Sequence, residues 1–462
     1  MKADILPRVA AEPPCAETLL ELAEHYESVP DLVPAFGYYL IALSLVDAVT
    51  PKLASKVGAI AFKLGEHGFA LKCFRMTLRS EADADERERS ARAITNLFKA
   101  SGFDIQTARP APFELALPAL LAEVPGTARS GAITCLAITA GTDLRENGLL
   151  SIADSNLYRG LAFNFAAMAQ AAPSFNADLF LLYLVRDLCP AVILFRHANL
   201  TERGGDPRVE TLLAIRRQTK VPVIGLYYDI AKPSFQRICQ AYLPGLDGVV
   251  TWDRPIGDTV PLSPEIRVRD LWTPLPSCPF RFRERQRNID IGFVGRSVSH
   301  YVTRHRYLDG LAAANVQVTC RGETFGGVLS VEDMVAFLQS CKIVLNFSST
   351  PLISPWEGDD RDTETDHVKG RVFEAIACGA LLFETRNDFT RRLFMPDKHY
   401  VEFSDLEELT RKLAFYLEND TERERIAQAA RDHYLANYTS AHYWRELEDL
   451  IVEITACRSV ET

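Results

Sequence analysis

The spacing of apolar positions changes along the chain and divides it into regions. From residue 15 to about 105 the apolar residues recur at helical intervals, without the runs that indicate strands. From residue 131 short apolar runs alternate with helical segments, and helical spacing returns at the C-terminal end. This order predicts an all-α region, then an α/β region whose parallel sheets carry helices on both faces, then closing helices.

The strand-like runs fall into two sets on either side of the basic segment FRFRERQRN. The first set is AITCLAIT, AVILFRH, VPVIGLYYDI and LDGVVTWD, and the second set is IDIGFVGR, VQVTCRG, KIVLNFSS and ALLFE. Two such sets predict two Rossmann-like domains that face one cleft, with ligands at the carboxyl ends of the strands. The predicted domains are 1–108 (helical), 109–285 (acceptor side), 286–440 (donor nucleotide) and 441–462 (a helix that crosses back).

The helical region contains a segment that is similar to a tetratricopeptide unit, whose period is about 34 residues. Gly58, Ala70 and Phe74 stand at separations that let two antiparallel helices touch. The alternative is a generic helical bundle. Because stacked helix pairs form concave surfaces suited to extended chains, residues 1–105 are predicted to dock a protein acceptor or partner.

Composition excludes several classes of function. The chain has 462 residues, of which 47% are apolar, and its formal net charge is -10, so no general basic field draws it to nucleic acid. Ten cysteines are scattered without metal-ligand spacing, which indicates buried thiols and neither disulfides nor a structural metal. The N-terminal MKADILPRVAAEPP lacks a secretion signal and no apolar run is long enough to span a bilayer. We therefore expect a cytoplasmic protein.

The segment HVKGRVFEAIACGALLFE predicts a phosphate-binding helix start. Lys369, Gly370 and Arg371 place two cations at the positive end of the helix dipole, which is unfavourable unless an anion binds there. A second loop, at the end of IDIGFVGR, supplies Gly295 and Arg296. The alternative reading of the helix is a surface salt bridge between Arg371 and a glutamate three residues later.

These segments carry a resemblance to a known family. FVGR, LSVEDMVAFLQSCKIVLNFSS, GRVFEAIACGALLFE, YVEFSDLEELTRKLAFYLEND and RERIAQAARDHYLANYT resemble, in order and spacing, the C-terminal half of CgeB-like (spore-maturation type) GT-B glycosyltransferases over about residues 289–440. The resemblance implies that Glu374 holds the donor ribose and that Gly295, Arg296 and Arg371 lie beside the donor phosphates. It also implies a polar cleft residue at Asn346.

The chain departs from the retaining relatives at one position near the donor sugar. Those relatives often carry a glutamate eight residues before the ribose glutamate, where this chain has Asp366. The shorter acid weakens the transfer of that role, and His367 is the adjacent alternative for a sugar hydroxyl. The DRD triplet at 360–362 mimics a metal-binding motif of another transferase fold, but we predict no metal and no cofactor, with the nucleotide-sugar as donor substrate.

The first sheet domain is expected to supply the acceptor side. Gly141 and Thr142 follow its first strand and predict a cleft loop. His197 and Asp229 each follow a later strand, so either is a candidate general base toward an acceptor hydroxyl.

Together these features predict a metal-independent, hexosyltransferase-like glycosyltransferase that moves a sugar from a nucleotide-sugar donor to an acceptor hydroxyl. The acceptor is a protein, a polysaccharide or a lipid-linked sugar. Two alternatives stay open: a GT-B and helical-repeat scaffold without turnover, motivated by Asp366, and an isomerase that converts the donor without an acceptor.

Overall fold

A computed structural model describes most of the chain. The described residues are 15–80, 82, 84–101, 117, 119–125, 127, 133–139, 149–155, 157–196, 205–258, 260–280, 282–283, 286–297, 301–352 and 364–460. Contacts divide the chain into two compact units. The first comprises the described parts of 1–149, 156–225 and 244–247, and the second comprises 150–155, 226–243 and 248–462.

The first unit begins with five helices. They are α1 (Ala16–Glu27), α2 (Leu32–Leu45), α3 (Pro51–Lys63), α4 (His67–Arg79) and α5 (Ala84–Ser101). Capping explains where two of them start: the Asp31 side chain accepts from the Val33 N–H, and the Thr50 side chain accepts from the Leu53 N–H ahead of α3. Helix α2 is buried from Pro34 to Leu43 on every side.

Helices α3 and α4 touch where the sequence predicts. A Cβ added to Gly58 would stand 2.9 Å from the Cys73 Cβ and 3.0 Å from the Phe74 ring, so the two helices approach as closely as a missing side chain allows. Ala70 and Phe74 are buried. The contact is observed, while the assignment of the region to tetratricopeptide repeats stays a prediction.

The rest of the first unit is a parallel sheet with helices. Its strands and helices are β1 (Leu121–Glu123), β2 (Ile133–Thr139), β3 (Tyr158–Asn164), α6 (Phe165–Ala171), α7 (Ala177–Leu188), β4 (Val192–Phe195), α8 (Val209–Thr219) and β5 (Val223–Tyr227), the last residues of which belong to the second unit. The strand order is β1-β3-β2-β4-β5, and only the β1–β3 pair is antiparallel.

The N-terminal helices pack tightly on α7. A Cβ at Gly37 would lie 2.1 Å from the Phe180 ring. The hydroxyls of Tyr26 and Tyr38 donate to the buried Asp187 carboxylate at 2.6 and 2.9 Å. These contacts join the helical region to the sheet in one unit.

The second unit contains a five-stranded parallel sheet of order β14-β13-β10-β8-β9. It also contains a parallel pair, β6–β7, and an antiparallel ribbon, β11–β12. The strands are β6 (Gly248–Thr251), β7 (Arg267–Asp270), β8 (Ile289–Val294), β9 (Thr319–Arg321), β10 (Cys341–Asn346), β11 (Ser349–Pro351), β12 (Glu364–Asp366), β13 (Leu381–Thr385) and β14 (Val401–Phe403).

Eight helices accompany these strands in the described part of the second unit. They are α9 (Pro233–Tyr242), α10 (Val302–Ala313), α11 (Val331–Ser340), α12 (Gly370–Ala377), α13 (Asp388–Arg391), α14 (Leu406–Glu418), α15 (Asp420–Asn437) and α16 (Ser440–Val460). Helix α16 packs on β7, where Glu453 pairs with Arg267 and Arg269. The five-stranded sheet holds an apolar core around Ile343, Phe383 and Leu409.

The predicted fold class, α/β with parallel sheets after a helical region, is confirmed. The strand-like runs of the sequence did not include β1, β3, β7, β12 or β14, and they reached only the first residue of β11. The three predicted domain boundaries, near residues 108, 285 and 440, stay predictions. Among the described residues, no helix combines the length and the hydropathy that crossing a bilayer requires.

Candidate functional site

Several predicted site residues lie at the carboxyl ends of strands in the second unit. Gly295 and Arg296 follow β8, Asn346 ends β10, and Asp366 ends β12. Because β8 and β10 are parallel neighbours, their carboxyl ends share one edge of the sheet. Ligands of parallel α/β sheets bind at that edge.

The predicted helix start is present. Lys369 is the N-cap residue of α12, and Gly370 and Arg371 form its first turn. The Arg371 Nη1 lies 2.5 Å from the Glu374 Oε2, and both side chains are largely buried, at 16% and 17% exposure. The Glu374 Oε1 lies 3.9 Å from where a Gly370 Cβ would stand, so this oxygen faces the start of the helix. The pair is therefore more enclosed than an ordinary surface salt bridge.

Lys369 is a cation in an unfavourable environment. Burial, with the nearby positive charge of Arg304 as the next cause, lowers the pKa of Lys369 to about 7. The Lys369 Nζ donates to the Ser349 carbonyl oxygen at 2.8 Å and stands 5.7 Å from the centre of the Tyr301 ring. The surroundings of Lys369 therefore disfavour its charged form.

Arg304, which the sequence analysis did not single out, links the two cationic segments. Its side chain is 6% exposed, and its Nη1 donates to the Arg296 carbonyl oxygen. Burial lowers the Arg304 pKa to about 10, and the charge of Arg371 acts in the same direction. Arg304 therefore lies close to the β8 loop and to the start of α12. The sequence could have indicated Arg304, because this residue lies in the first turn of the helix that follows the loop of Gly295 and Arg296.

The Arg296 guanidinium is engaged at the protein surface. Its Nη2 lies 2.6 Å from the Glu323 Oε2, and both side chains are more than half exposed. The backbone of Gly295 is approached closely by Gly322, whose φ of 125° and absent Cβ are both required there, since a Cβ would stand 2.4 Å from the Gly295 oxygen. This close backbone packing fixes the loop after β8.

Asn346 binds a buried carboxyl group. Its Nδ2 lies 3.0 Å from the Glu384 Oε1, and both residues are buried. Burial raises the pKa of Glu384 to about 8, which hydrogen bonds from Thr390, Asn387 and Asn346 only partly oppose. Neither Asn346 nor Glu384 is exposed in this form of the protein. Glu384 was not predicted, because its segment reads only as an apolar strand.

Asp366 is anchored by hydroxyl groups. The Ser348 Oγ donates to the Asp366 Oδ1 at 2.7 Å and lies 2.9 Å from the Thr385 Oγ1. The Arg254 Nη2 donates to the Asp366 carbonyl oxygen at 2.7 Å. Asp366 is exposed while the adjacent His367 is buried.

His367 lies beside two carboxylates. Its Nδ1 is 3.8 Å from the Asp229 Oδ1 and 3.5 Å from the Asp253 Oδ2. Burial favours a raised pKa for Asp229, but the charges of Lys232 and His367 outweigh it and the pKa is lowered. The Lys232 Nζ donates to the Asp229 Oδ2 at 2.7 Å. The structure thus brings two predicted residues, Asp229 and His367, together.

Three predicted residues and one motif lie outside the described residues. They are Gly141, Thr142, His197 and the DRD triplet at 360–362. Their predicted roles remain predictions.

A comparison with protein families finds a match in the C-terminal part of the chain. A family model described as glycosyl transferase-like (Glyco_trans_1_2) matches residues 296–449. No curated protein matches the chain.

Three solved structures illustrate what the chain is similar to. HepE from Anabaena in complex with UDP-glucose has 12% identity and a TM-score of 0.49, covering 70% of this chain and 100% of that one. Sucrose-phosphate synthase from Thermosynechococcus elongatus has 11% identity and a TM-score of 0.48, with the same coverage. An alpha-glucosyltransferase in complex with UDP-glucose and DNA containing an abasic site has 9% identity and a TM-score of 0.46, covering 69% and 99%.

The matched range overlaps the segment of 289–440 in which the sequence resembles GT-B enzymes. The family model agrees with the glycosyltransferase part of that resemblance over the matched range, whereas the CgeB-like subtype stays a prediction. The matched range contains Arg296, Arg304, Asn346, Glu384 and the site residues between 366 and 374. Gly295, Asp229 and Asp253 precede it.

Proposed function

We propose that this protein transfers a sugar from a nucleotide-sugar donor to an acceptor hydroxyl. The observation that supports the proposal best is the enclosed group of Lys369, Arg304 and Arg371 at the start of α12. Three cations whose charges oppose one another are stabilised when a diphosphate binds among them. This group stands in the part of the chain that the glycosyl transferase-like family model matches.

Each residue of the group has a role in this proposal. The N-terminus of α12, Lys369 and Arg371 stabilise the nucleoside diphosphate as its charge grows on leaving the sugar. Arg304 holds the loop of Gly295 and Arg296 next to them. The Glu374 Oε1, which faces the helix start, accepts hydrogen bonds from the donor ribose. His367 contacts a sugar hydroxyl through its buried imidazole.

In this proposal Asp229 is a permanently charged carboxylate and not the general base. The lowered pKa makes its carboxylate a weak base, which argues against proton abstraction from an acceptor hydroxyl. His197, outside the described residues, stays the other candidate base, and Gly141 and Thr142 stay candidates for an acceptor-side loop. Asn346 has a structural role in this proposal, because its side chain donates a hydrogen bond to the buried Glu384.

The acceptor is proposed to be a protein that docks on the helical region of residues 1–105. A polysaccharide or a lipid-linked sugar is the alternative acceptor. The donor sugar is proposed to be a hexose, and the transfer uses the protein's own cations on the diphosphate. The proposed location is the cytoplasm.

A scaffold without turnover is the second candidate. Asp366, shorter than the glutamate of retaining relatives, is held by Ser348 at the end of a ribbon strand. The Arg371–Glu374 ion pair also occupies both side chains in this form. A scaffold would retain the cluster for stability alone and would release no nucleotide from any donor.

Donor binding distinguishes the two candidates. We expect the wild-type protein to bind and slowly hydrolyse at least one of a panel of UDP-, GDP-, CMP- and dTDP-sugars, measured by calorimetry and mass spectrometry. Arg371→Ala removes one charged hydrogen-bond donor, worth about 1.5–3 kcal/mol, so donor affinity should fall about 10- to 150-fold. Glu374→Ala should lower affinity for the nucleotide through the lost ribose contact.

A matched pair elsewhere in the same unit provides the control. Arg425 and Glu422 are also three residues apart on a helix and form a close ion pair, but at the exposed surface. Arg425→Ala should change donor affinity less than twofold. The transferase proposal fails if no donor binds, or if Arg371→Ala and Arg425→Ala bind it equally well.

A further inference from the structure

We propose that Asp229, Asp253 and His367 form a binding site for one divalent transition-metal ion, such as zinc or manganese. Each of the three residues offers one ligand atom, and these atoms all lie within 4.8 Å of one another. Two carboxylates and one imidazole are a ligand set that such ions accept in proteins. The proposal replaces the sequence-based expectation of no metal and does not depend on the proposed sugar transfer.

Burial without hydrogen bonding is the first argument. Asp253 is 4% exposed, and within the described residues neither of its carboxylate oxygens has a hydrogen-bond partner. His367 is 6% exposed, and within the described residues neither of its ring nitrogens has a hydrogen-bond partner. Buried polar groups are nearly always hydrogen-bonded, because leaving them unmatched costs free energy. A cation bound between them gives one carboxylate oxygen of Asp253 and the His367 Nδ1 a partner.

The distances are the second argument. The His367 Nδ1 is 3.5 Å from the Asp253 Oδ2 and 3.8 Å from the Asp229 Oδ1. Both distances exceed the roughly 2.7–3.2 Å of a hydrogen bond. They approach the separation of two ligand atoms on a tetrahedral zinc ion, which is about 3.4 Å for bonds of about 2.1 Å. The two distances from the His367 Nδ1 therefore suit a common ion better than direct hydrogen bonds, and the ligand oxygens of Asp229 and Asp253 lie within 4.8 Å of each other.

The surroundings hold each ligand in place. The Val368 N–H donates to the Asp253 carbonyl oxygen at 3.0 Å, which ties the two segments together beside the ligands. The Asn387 Nδ2 donates to the His367 carbonyl oxygen at 3.1 Å. The Lys232 Nζ engages the Asp229 Oδ2 and leaves the Oδ1 directed at His367. The first two contacts fix the backbone segments that carry Asp253 and His367, and the third orients the Asp229 carboxylate.

The ligand count indicates the type of site. Three protein ligands leave one tetrahedral position for water or a substrate oxygen, as in zinc sites that take part in reactions. Asp229 is the most accessible of the three, with 24% of its side chain exposed, so this residue marks the open side. A metal-free cluster, in which a protonated His367 lies between two carboxylates, is the competing account and an outcome of the test.

Cobalt binding tests the proposal without any donor or acceptor. The full-length protein is treated with a chelator, dialysed, and titrated with Co²⁺ while visible absorption is recorded. We expect one Co²⁺ per chain with the absorption of a four-coordinate ion, displaced by Zn²⁺, and a rise in the melting temperature of the wild-type protein with Zn²⁺. Absence of saturable binding would overturn the proposal in favour of the metal-free cluster.

Variants locate the ion. Asp253→Asn and His367→Gln should each weaken Co²⁺ binding at least tenfold and abolish the four-coordinate spectrum. Asp229→Asn, at the more exposed ligand, provides a variant that is expected to fold if the buried ones do not. His442→Gln and Asp432→Asn, which change the same residue types on α16 and α15, should bind as the wild type does. Equal binding by the ligand variants and these controls would place the ion elsewhere and contradict the proposal.

Discussion

Lys369 has a charge state that depends on whether an anion is bound. Its pKa is lowered to about 7 by burial and by the charge of Arg304. A bound diphosphate favours the charged ammonium group and therefore raises this pKa. Above pH 7, donor binding must take up a proton, while the diphosphate of a nucleotide-sugar does not itself titrate in this range.

This linkage predicts a pH-dependent affinity. We expect the affinity of the wild-type protein for its nucleotide-sugar to fall as pH rises from 7 to 9, approaching tenfold per unit as the free form becomes neutral. Calorimetry in buffers of different ionisation enthalpy should show proton uptake at pH 8. Lys369→Arg, which stays charged, should bind with a flatter pH profile.

Glu384 provides the control for this prediction, because its carboxyl group has a pKa of about 8 in the same region. Glu384→Gln cannot titrate, so it should keep the fall in affinity if Lys369 causes it. A flat profile for the wild-type protein, or a fall that disappears in Glu384→Gln and not in Lys369→Arg, would contradict the role of Lys369.

The sequence predicts contacts between site residues that lie close together in the chain, and it does not predict contacts between distant ones. Arg371 and Glu374 could be paired because three residues of helix separate them, and the structure shows them in contact. Asp253 could not be paired with His367, since they are 114 positions apart in the chain and only the folded second unit brings them together. Arg304 was missed for a similar reason, although it lies in the first turn after the loop of Gly295 and Arg296.

Helical periodicity predicts that a helix is present more reliably than it predicts the residue at which the helix begins. Ser404 and Glu407 have the spacing of a capping box, but in the structure the N-cap residue of α14 is Asp405, one residue later. There the Asp405 side chain accepts from the Glu408 N–H, and the Glu408 carboxylate accepts from the Ser404 N–H. Two consecutive polar residues satisfy the same spacing rule, and only the start of the helix decides between them.

The close contact between α2 and α7 predicts that replacing Gly37 by alanine destabilises the protein. A Cβ at Gly37 would lie 2.1 Å from the Phe180 ring, so Gly37→Ala forces the two helices apart. We expect it to lower the free energy of unfolding by about 1–3 kcal/mol, as overpacking does in cores. Chemical denaturation of the purified protein measures this change.

Gly68, in α4, is the matched control for this substitution. A Cβ added there would meet no atom within 4 Å, so Gly68→Ala should be neutral or stabilising by up to about 1 kcal/mol through helix propensity. Both glycines are helical, so propensity alone would favour alanine at each of them. If Gly37→Ala is as stable as Gly68→Ala, the packing of α2 on α7 is not as described.

At the scale of the whole chain, the two compact units follow contacts that no local pattern shows. The basic segment at 280–288 predicts a domain boundary near residue 285, which stays a prediction, while contacts group residues 226–243 and the described part of 248–280 with the chain that follows. Hydrophobic spacing reports each strand and helix separately and contains no information on which strands a helix covers. Asp229 and Asp253 therefore stand in the same unit as His367, although the sequence placed them in the other predicted domain.

The helical region and the first parallel sheet form one unit, which predicts the result of truncation. Removing residues 1–105 would take away the hydroxyls of Tyr26 and Tyr38 from Asp187 and uncover the Phe180 ring. A buried carboxylate that loses its hydrogen bonds and an exposed aromatic face both destabilise a fold. We expect the truncated chain to melt well below the full-length protein or to aggregate, as followed by circular dichroism.

A test of acceptor docking therefore needs variants that keep the unit intact. Arg89 and Arg92 are exposed on α5, where Arg92 pairs with the exposed Glu88 and Arg89 pairs with Glu86, whose side chain is 12% exposed. The double variant Arg89→Glu and Arg92→Glu should melt within about 2 °C of the wild type, since surface pairs contribute little to stability. If it also keeps donor hydrolysis but loses transfer to a protein acceptor, the helical region docks that acceptor. A truncated chain that melts with the full-length protein would instead show that residues 1–105 are an independent module.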